Sequence, residues 1–174
     1  PGVAGVRFIK DTVVGDINSA TRGSGARYNT GKPQLEPLPL RLMARFYEML
    51  GAESIERKRA LNALFRLATF QERGDPRSLM LAMCDLGPGV LHDTARVFEY
   101  GRKKYAAWNW AKGMAWSVPL ACAARHLEAI LLGEALDLES GLPHRGHAGC
   151  NIVMLETYSH ENTYPEGDDR PKAG

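Results

Sequence analysis

From residue 40 onward the apolar positions of this chain recur every three or four residues, the spacing of a buried helix face. Leu42, Met43, Phe46 and Leu50 predict a helix over about 40–50. Leu61, Leu64, Phe65 and Ala68 predict a second over 53–73, with Glu56, Arg57 and Arg59 outside it and Gly74-Asp75-Pro76 stopping it. A short helix around Ser78–Cys84 precedes the break at Gly87-Pro88-Gly89. Leu91, Thr94, Val97 and Phe98 form the inner face of a helix from Val90 to Gly101 or Tyr105. Ser117 and Pro119 open a helix over about 118–133 that buries Leu120, Ala124, Leu127 and Leu131 and ends at Gly133. The last helix runs over about 144–160 and buries Ile152, Leu155 and Tyr158 or Thr157.

No stretch shows strand-like alternation, and there are no repeats. The expected fold is all-α, a helical bundle with an irregular N-terminal arm. Its last two helices form an antiparallel hairpin across the loop Glu134–Pro143. Residues 1–35, rich in Gly, Asn, Thr and Ser, read as an arm that contributes to the site. Residues 36–160 form the helical catalytic domain, within which 48–88 reads as an insertion. Residues 161–174 are a polar tail with Pro165 and Pro171, expected to fray.

Composition narrows the class. With 174 residues, 44% hydrophobic and 24% charged, the chain suits one soluble domain. A net charge of +2 argues against a module for polymeric nucleic acid. No apolar run approaches the roughly 20 residues that span a bilayer, and no secretory signal is visible. Cys84, Cys122 and Cys150 form no CxxC and read as reduced small core residues of a cytoplasmic protein.

The chemistry concentrates near the C-terminal end, where three of the five histidines fall among four carboxylates: His126, Glu128, Glu134, Asp137, Glu139, His144 and His147. His144, His147 and Asn151 share one face of the last helix. His126, two turns before Gly133 on the preceding helix, reaches the depth of Asn151. Glu134 and Asp137 close the open end. His126, Glu134, Asp137, His144 and His147 are therefore candidate metal ligands, with Glu134, Asp137 and His147 the candidate catalytic groups. On pattern alone the alternative stands beside it: satisfied polar histidines, Asp137 and Ser140 as turn or cap residues, and Glu134 paired with Arg145. Magnesium prefers oxygen ligands, so histidines suit Mn²⁺ or Zn²⁺ better.

Cations for a polyphosphate are at hand in Arg27, Lys32, Lys103 and Lys104, although Arg102-Lys103-Lys104 also reads as a solvated helix end. The segment Asn29-Thr30-Gly31-Lys32 lacks the spacing of a P-loop. Trp108, Trp110 and Trp116 offer faces for a purine or lock a loop to the core, and Asn109 bonds a base or sugar or caps a turn.

Several blocks in order resemble one helical family of phages and bacteria, the dATP/dGTP diphosphohydrolases of N-terminal type, which are MazG-like NTP pyrophosphohydrolases. They are Arg27-Tyr28-Asn29-Thr30-Gly31-Lys32-Pro33, Phe98-Glu99-Tyr100-Gly101-Arg102-Lys103-Lys104-Tyr105, Asn109-Trp110-Ala111-Lys112-Gly113, Arg125-His126-Leu127, Gly133-Glu134, Asp137, Glu139-Ser140-Gly141, His144 and His147. The resemblance covers 26–38 and about 90–158. It implies removal of pyrophosphate from dGTP and dATP with Mn²⁺ or Mg²⁺, a purine deoxynucleoside triphosphate as partner, and a dimer or tetramer. It favours Asn29, Lys32, Lys103, Lys104, Asn109 and Trp110 as substrate-binding residues. Within the family the likeness is nearest to phage enzymes of 2-aminoadenine DNA metabolism, where dGMP feeds synthesis of the modified nucleotide in the host cytoplasm. The wider superfamily binds metal through ExxE and ExxD on successive helices; here His144-x-x-His147 stands at the ExxD spacing. Two other readings remain: an HD-type phosphohydrolase, on the dipeptide His92-Asp93, and a non-enzymatic helical nucleotide-binding module.

Overall fold

The structure, a computed structural model, describes residues 13–14, 20–28, 31–160 and 163–171. Six helices make the bundle: α1 (Leu40–Leu50), α2 (Ile55–Arg73), α3 (Arg77–Asp85), α4 (Val90–Gly101), α5 (Ser117–Leu131) and α6 (His144–Ser159). The hairpin α5/α6 is its centre. It is flanked by α4 on α6 and by α2 on α5, with α1 and α3 laid against α2. The expected all-α bundle is thus the observed one. The arm adds what the sequence did not suggest, two short antiparallel strands, β1 (Val13–Val14) and β2 (Arg27–Tyr28), in the register Val13 to Tyr28. Two residues per strand are too few to show alternation.

Helix ends follow local chemistry. Ser54 caps α2 by accepting from the Arg57 amide at 3.1 Å, and Gly74 ends it in the left-handed region at φ 70°. Pro39 cannot cap α1 with a side chain. Buried Gln71 of α2 does so instead, accepting from the Leu40 amide at 2.8 Å and donating to the Leu38 carbonyl at 3.1 Å.

Three apolar stripes are rotated from expectation. In α1 the buried face is Leu40, Met43, Ala44 and Tyr47, whereas Leu42, Phe46 and Leu50 are exposed. The helix is apolar on two faces, and spacing alone cannot choose between them. The Tyr47 hydroxyl decides, reaching Glu128 on α5 at 2.6 Å. In α2 the innermost residues are Ala60, Ala63, Leu64, Leu67 and Ala68, with Leu61 and Phe65 half-buried. In α4 Leu91 faces outward while Val90 and Val97 pack inward. Residues 48–88 hold α2 and α3, whose Leu64, Leu67, Phe70 and Leu79 share one core with α5 and α6. Cys84 lies on the surface rather than in the core, and no disulfide joins the described cysteines.

Helices α4 and α6 approach closely. A Cβ on Gly149 would lie 2.2 Å from Thr94 Oγ1, and one on Gly146 would lie 2.8 Å from the Asp93 carbonyl oxygen. Arg145 locks the pair by donating to Asp93 Oδ2 at 2.6 Å, so it is not the partner of Glu134.

The tail expected to fray is docked over 163–171. Asp169 accepts from the Ser117 amide and hydroxyl at 2.8 and 2.6 Å, capping α5 from outside. Arg170 lies over the rings of Phe70 and Trp116 and donates to the Phe70 carbonyl, satisfying the end of α2. Among the described residues no helix is long and apolar enough to cross a membrane.

Candidate metal centre

The loop between α5 and α6 folds back on itself. The Asp137 amide donates to the Leu142 carbonyl, Gly141 to Asp137, and His144 to Ala135. This turn presents Asp137 to the imidazoles of the hairpin. Asp137 Oδ2 accepts from the Ser140 amide at 2.9 Å and its hydroxyl at 2.8 Å, so the turn role and the site role coexist. Burial works to raise the Asp137 pKa. The Ser140 bonds and the nearby His147 and His144 outweigh it and hold the carboxyl below its ordinary value.

Three imidazoles face it. His126 Nδ1 and His144 Nδ1 are 2.9 Å apart, and the rings of His126 and His147 stack at 4.6 Å. Burial, then His147, His144, Arg27 and Lys32, push the His126 pKa well down. Burial likewise lowers His147 to about 4 against the pull of Asp137. Both rings are therefore neutral near pH 7. The tautomer of His147 follows from its partner. Ser140 Oγ gives its one proton to the carboxylate, so at 2.7 Å it accepts from His147 Nε2–H. The His147 lone pair is then on Nδ1.

A divalent ion needs neutral imidazole nitrogens and an ionised carboxylate around one point. His126, Asp137 and His144 offer ligand atoms that all lie within 4.8 Å of one another. His144 Nε2 is buried without a hydrogen-bond partner; Glu134 Oε2 stands 3.5 Å away, too far for a good bond. These residues fit such an ion.

Around the cluster lies a cavity of about 710 Å³. Its lining brings the polar groups His126, Asp137, His147, Arg27, Lys32 and Lys104 together with the apolar surfaces of Phe98, Tyr105, Trp108, Trp110 and Met154. Phe98 and Trp110 pack at 5.4 Å, and Trp108 leans on Trp110 at 5.7 Å with 72% of its surface exposed. Trp108 is the one described non-glycine residue with positive φ, at 61°. A second cavity of about 160 Å³ is lined by Arg27, Lys32, Cys122, Arg125, His126, Asp137 and His144.

The sequence-derived set divides accordingly. His126, Asp137, His144 and His147 come together, Glu134 stands beside His144 outside the lining of either cavity, and Lys32, Asn109 and Trp110 line the larger cavity. Lys104 lines it too, paired with Glu139, while Lys103 rests over the Tyr100 ring. Asn109 is buried with both amide atoms on the Ala26 backbone, at 3.4 and 3.1 Å, and so fixes the arm. Asn29 lies outside the described residues. Glu128 is taken by Tyr47, Trp116 stacks on Phe70 in the core, and Asp93 of the His92-Asp93 pair is bound to Arg145.

Sequence reasoning missed how Arg27 is aimed. Asn151, fully buried, accepts from Arg27 at 2.7 Å and donates to the His147 carbonyl at 2.8 Å. It missed Arg125 as a wall of the smaller cavity and Ser140 as the joint between Asp137 and His147. Only Ser140 left a trace, as the fourth residue of an Asp-initiated turn.

A family model described as dATP/dGTP diphosphohydrolase, N-terminal, matches residues 60–170. No curated protein and no solved structure matches the chain.

Proposed function

The chain belongs to the dATP/dGTP diphosphohydrolase N-terminal family, and from that premise we propose that its pocket hydrolyses dGTP and dATP to the nucleoside monophosphate and pyrophosphate. The observation that carries the reading is the meeting of His126, Asp137 and His144 beside a cavity lined by both cations and aromatic rings. The purine stacks among Trp108, Trp110 and Phe98, where an apolar cleft with flat faces suits it. Lys32, Arg27 and Lys104 neutralise the phosphates, with Lys103 as an outer cation.

His126, Asp137 and His144 would hold a divalent ion, Mn²⁺ or Mg²⁺, with Glu134 and His147 at its edge; the nitrogen donors favour Mn²⁺. Such an ion, when bound, supplies Lewis acidity and offsets phosphate charge. The chain's own groups do the rest. Glu134, exposed and 3.5 Å from His144 Nε2, takes the proton of the water that attacks the α-phosphorus. Ser140 holds Asp137 and His147 in fixed orientation. His147 keeps its Nδ1 lone pair toward the reaction.

Resemblance supports a finer reading: the dGMP produced feeds 2-aminoadenine nucleotide synthesis in a phage-infected cytoplasm, and loss of dATP keeps adenine out of the genome. The exposed stripe Leu42, Phe46 and Met49 supports a dimer or tetramer; a sedimentation run that finds only monomer overturns this part.

Incubation with dGTP and Mn²⁺, with products resolved, tests the activity. dGMP and pyrophosphate are expected. Deoxyguanosine and triphosphate would indicate HD-type chemistry instead. No turnover of any dNTP with Mn²⁺, Mg²⁺ or Co²⁺ would leave a nucleotide-binding module.

A further inference from the structure

We infer that the smaller cavity is the subsite for the terminal phosphates, and hence a binding site for the pyrophosphate that leaves; the inference rests on the triphosphate reading above. Its lining joins two kinds of group. Arg27, Lys32 and Arg125 supply three cations, His126, Asp137 and His144 supply the cluster, and Cys122 completes it. Four of these seven, Arg27, Lys32, His126 and Asp137, also line the larger cavity. The two spaces therefore share a wall, and that wall is the candidate metal centre.

A linear substrate with an aromatic base and a polyanionic tail is placed by what each cavity offers: Phe, Tyr and Trp rings line only the larger, and Arg125 only the smaller. The base enters among the rings, and the tail crosses the shared wall toward the three cations. The α-phosphorus then lies at the histidines and Asp137. Cleavage there leaves the β- and γ-phosphates together in the smaller cavity, so the product is pyrophosphate rather than orthophosphate. Lys104, bound to Glu139, lines the larger cavity alone and so meets the phosphate chain at its nucleoside end rather than at its terminal phosphates.

Arg125 is built for this position. It donates to the Pro33 carbonyl at 3.0 Å and to Cys122 Sγ at 2.7 Å. The first bond ties the loop carrying Lys32 to α5, so both cations are placed together. A guanidinium so fixed is pre-organised for phosphate oxygens.

Titration calorimetry with inorganic pyrophosphate in EDTA tests the subsite without turnover. Arg125→Gln should weaken pyrophosphate binding roughly ten- to hundredfold, the loss of one charge-assisted contact. It should leave dGMP binding within about twofold. Arg125→Lys should recover part of the loss. Lys32→Gln, at an exposed position, gives the same readout if Arg125→Gln fails to fold. In wild-type turnover, pyrophosphate should compete with dGTP. If wild type hydrolyses dGTP yet pyrophosphate neither binds nor competes, or binds equally well to the variants, the subsite is wrong and the activity stands. If pyrophosphate binds and no dNTP is turned over, the activity fails and the anion site stands.

Discussion

His147 is neutral because it is buried beside two other imidazoles and the cations Arg27 and Lys32, and that neutrality carries a pH signature. Its pKa in the fold is about 4 against an ordinary 6.5. Above 6.5 both folded and unfolded chains hold it neutral, and its contribution is complete. As pH falls from 6.5 toward 4 the unfolded chain takes the proton first, so stability declines through that window. His126, pushed down by the same surroundings, adds to the slope in the same direction. We expect metal-free protein to lose on the order of 2–3 kcal/mol of unfolding free energy across this range. His147→Gln, which can still donate to Ser140, should flatten the dependence. Urea melts at a series of pH values check it, and an unchanged slope in His147→Gln would show that other groups govern acid stability. At this scale the sequence told which residues meet, because i, i+3 spacing on α6 and antiparallel placement of α5 are geometric consequences of a helix hairpin. It did not tell which are paired. Asn109 and Glu128 have the chemistry of site residues, but Ala26 and Tyr47 occupy them, and those contacts join positions far apart in sequence.

Helices α4 and α6 owe their close approach to the absence of two side chains. Gly146 and Gly149 sit inside a helix, where glycine costs roughly 1 kcal/mol relative to alanine. In isolation Gly149→Ala should therefore stabilise α6. The added methyl would instead meet Thr94 Oγ1 at 2.2 Å, with Val90 and Met83 also close, so the helices must part. We expect a net loss of about 1–3 kcal/mol, the usual cost of overpacking. The displacement would also move His147, two residues away on the same helix, so Mn²⁺ affinity should fall with the melting temperature. Thermal melts with and without Mn²⁺ separate the effects; a variant as stable as wild type refutes the close contact. Element boundaries were legible because Gly74, Gly87 and Pro88, Gly133 and Pro143 punctuate the periodic segments. Rotation about the helix axis was less so. In α1 both Leu40–Met43–Ala44–Tyr47 and Leu42–Phe46–Met49 satisfy the period, and only the partner surfaces select the buried one.

Residues 20–28 and 163–171 close on one another beside helix α5 and the loop before it. The arm carries Arg27 and Lys32 to the cluster, and contacts from elsewhere in the chain hold it there. Gly23 and Gly25 donate to the carbonyls of Lys112 and Gly113, and Arg22 binds Glu166 and lies over the Tyr164 ring. Tyr164 in turn fills the space above Gly23 and Gly113, where a Cβ on either would meet its ring or hydroxyl. The segment 163–171 is itself anchored by Asp169 on α5 and Arg170 on α2. The candidate phosphate-binding cations Arg27 and Lys32 thus depend on a strap formed by residues 163–171, a coupling that no local sequence pattern encodes. Tyr164→Ala removes the ring between arm and strap, and with it only an edge contact to Tyr158 near the end of α6, far along the helix from His144 and His147. Truncating a half-buried aromatic costs about 2 kcal/mol or more, and most of that should fall on the docked arm. Opening of the arm should then rise at least about tenfold. Limited trypsin digestion reads this at Arg22 and Arg27, where cleavage should accelerate by that factor while global unfolding in urea shifts less. The same variant should raise KM for dGTP more than it lowers kcat, because the arm contributes phosphate contacts and the cluster stays in place. Equal trypsin rates in variant and wild type would mean that the arm is held by its bonds to Lys112, Gly113, Asn109, Asn151 and Arg125 without the strap.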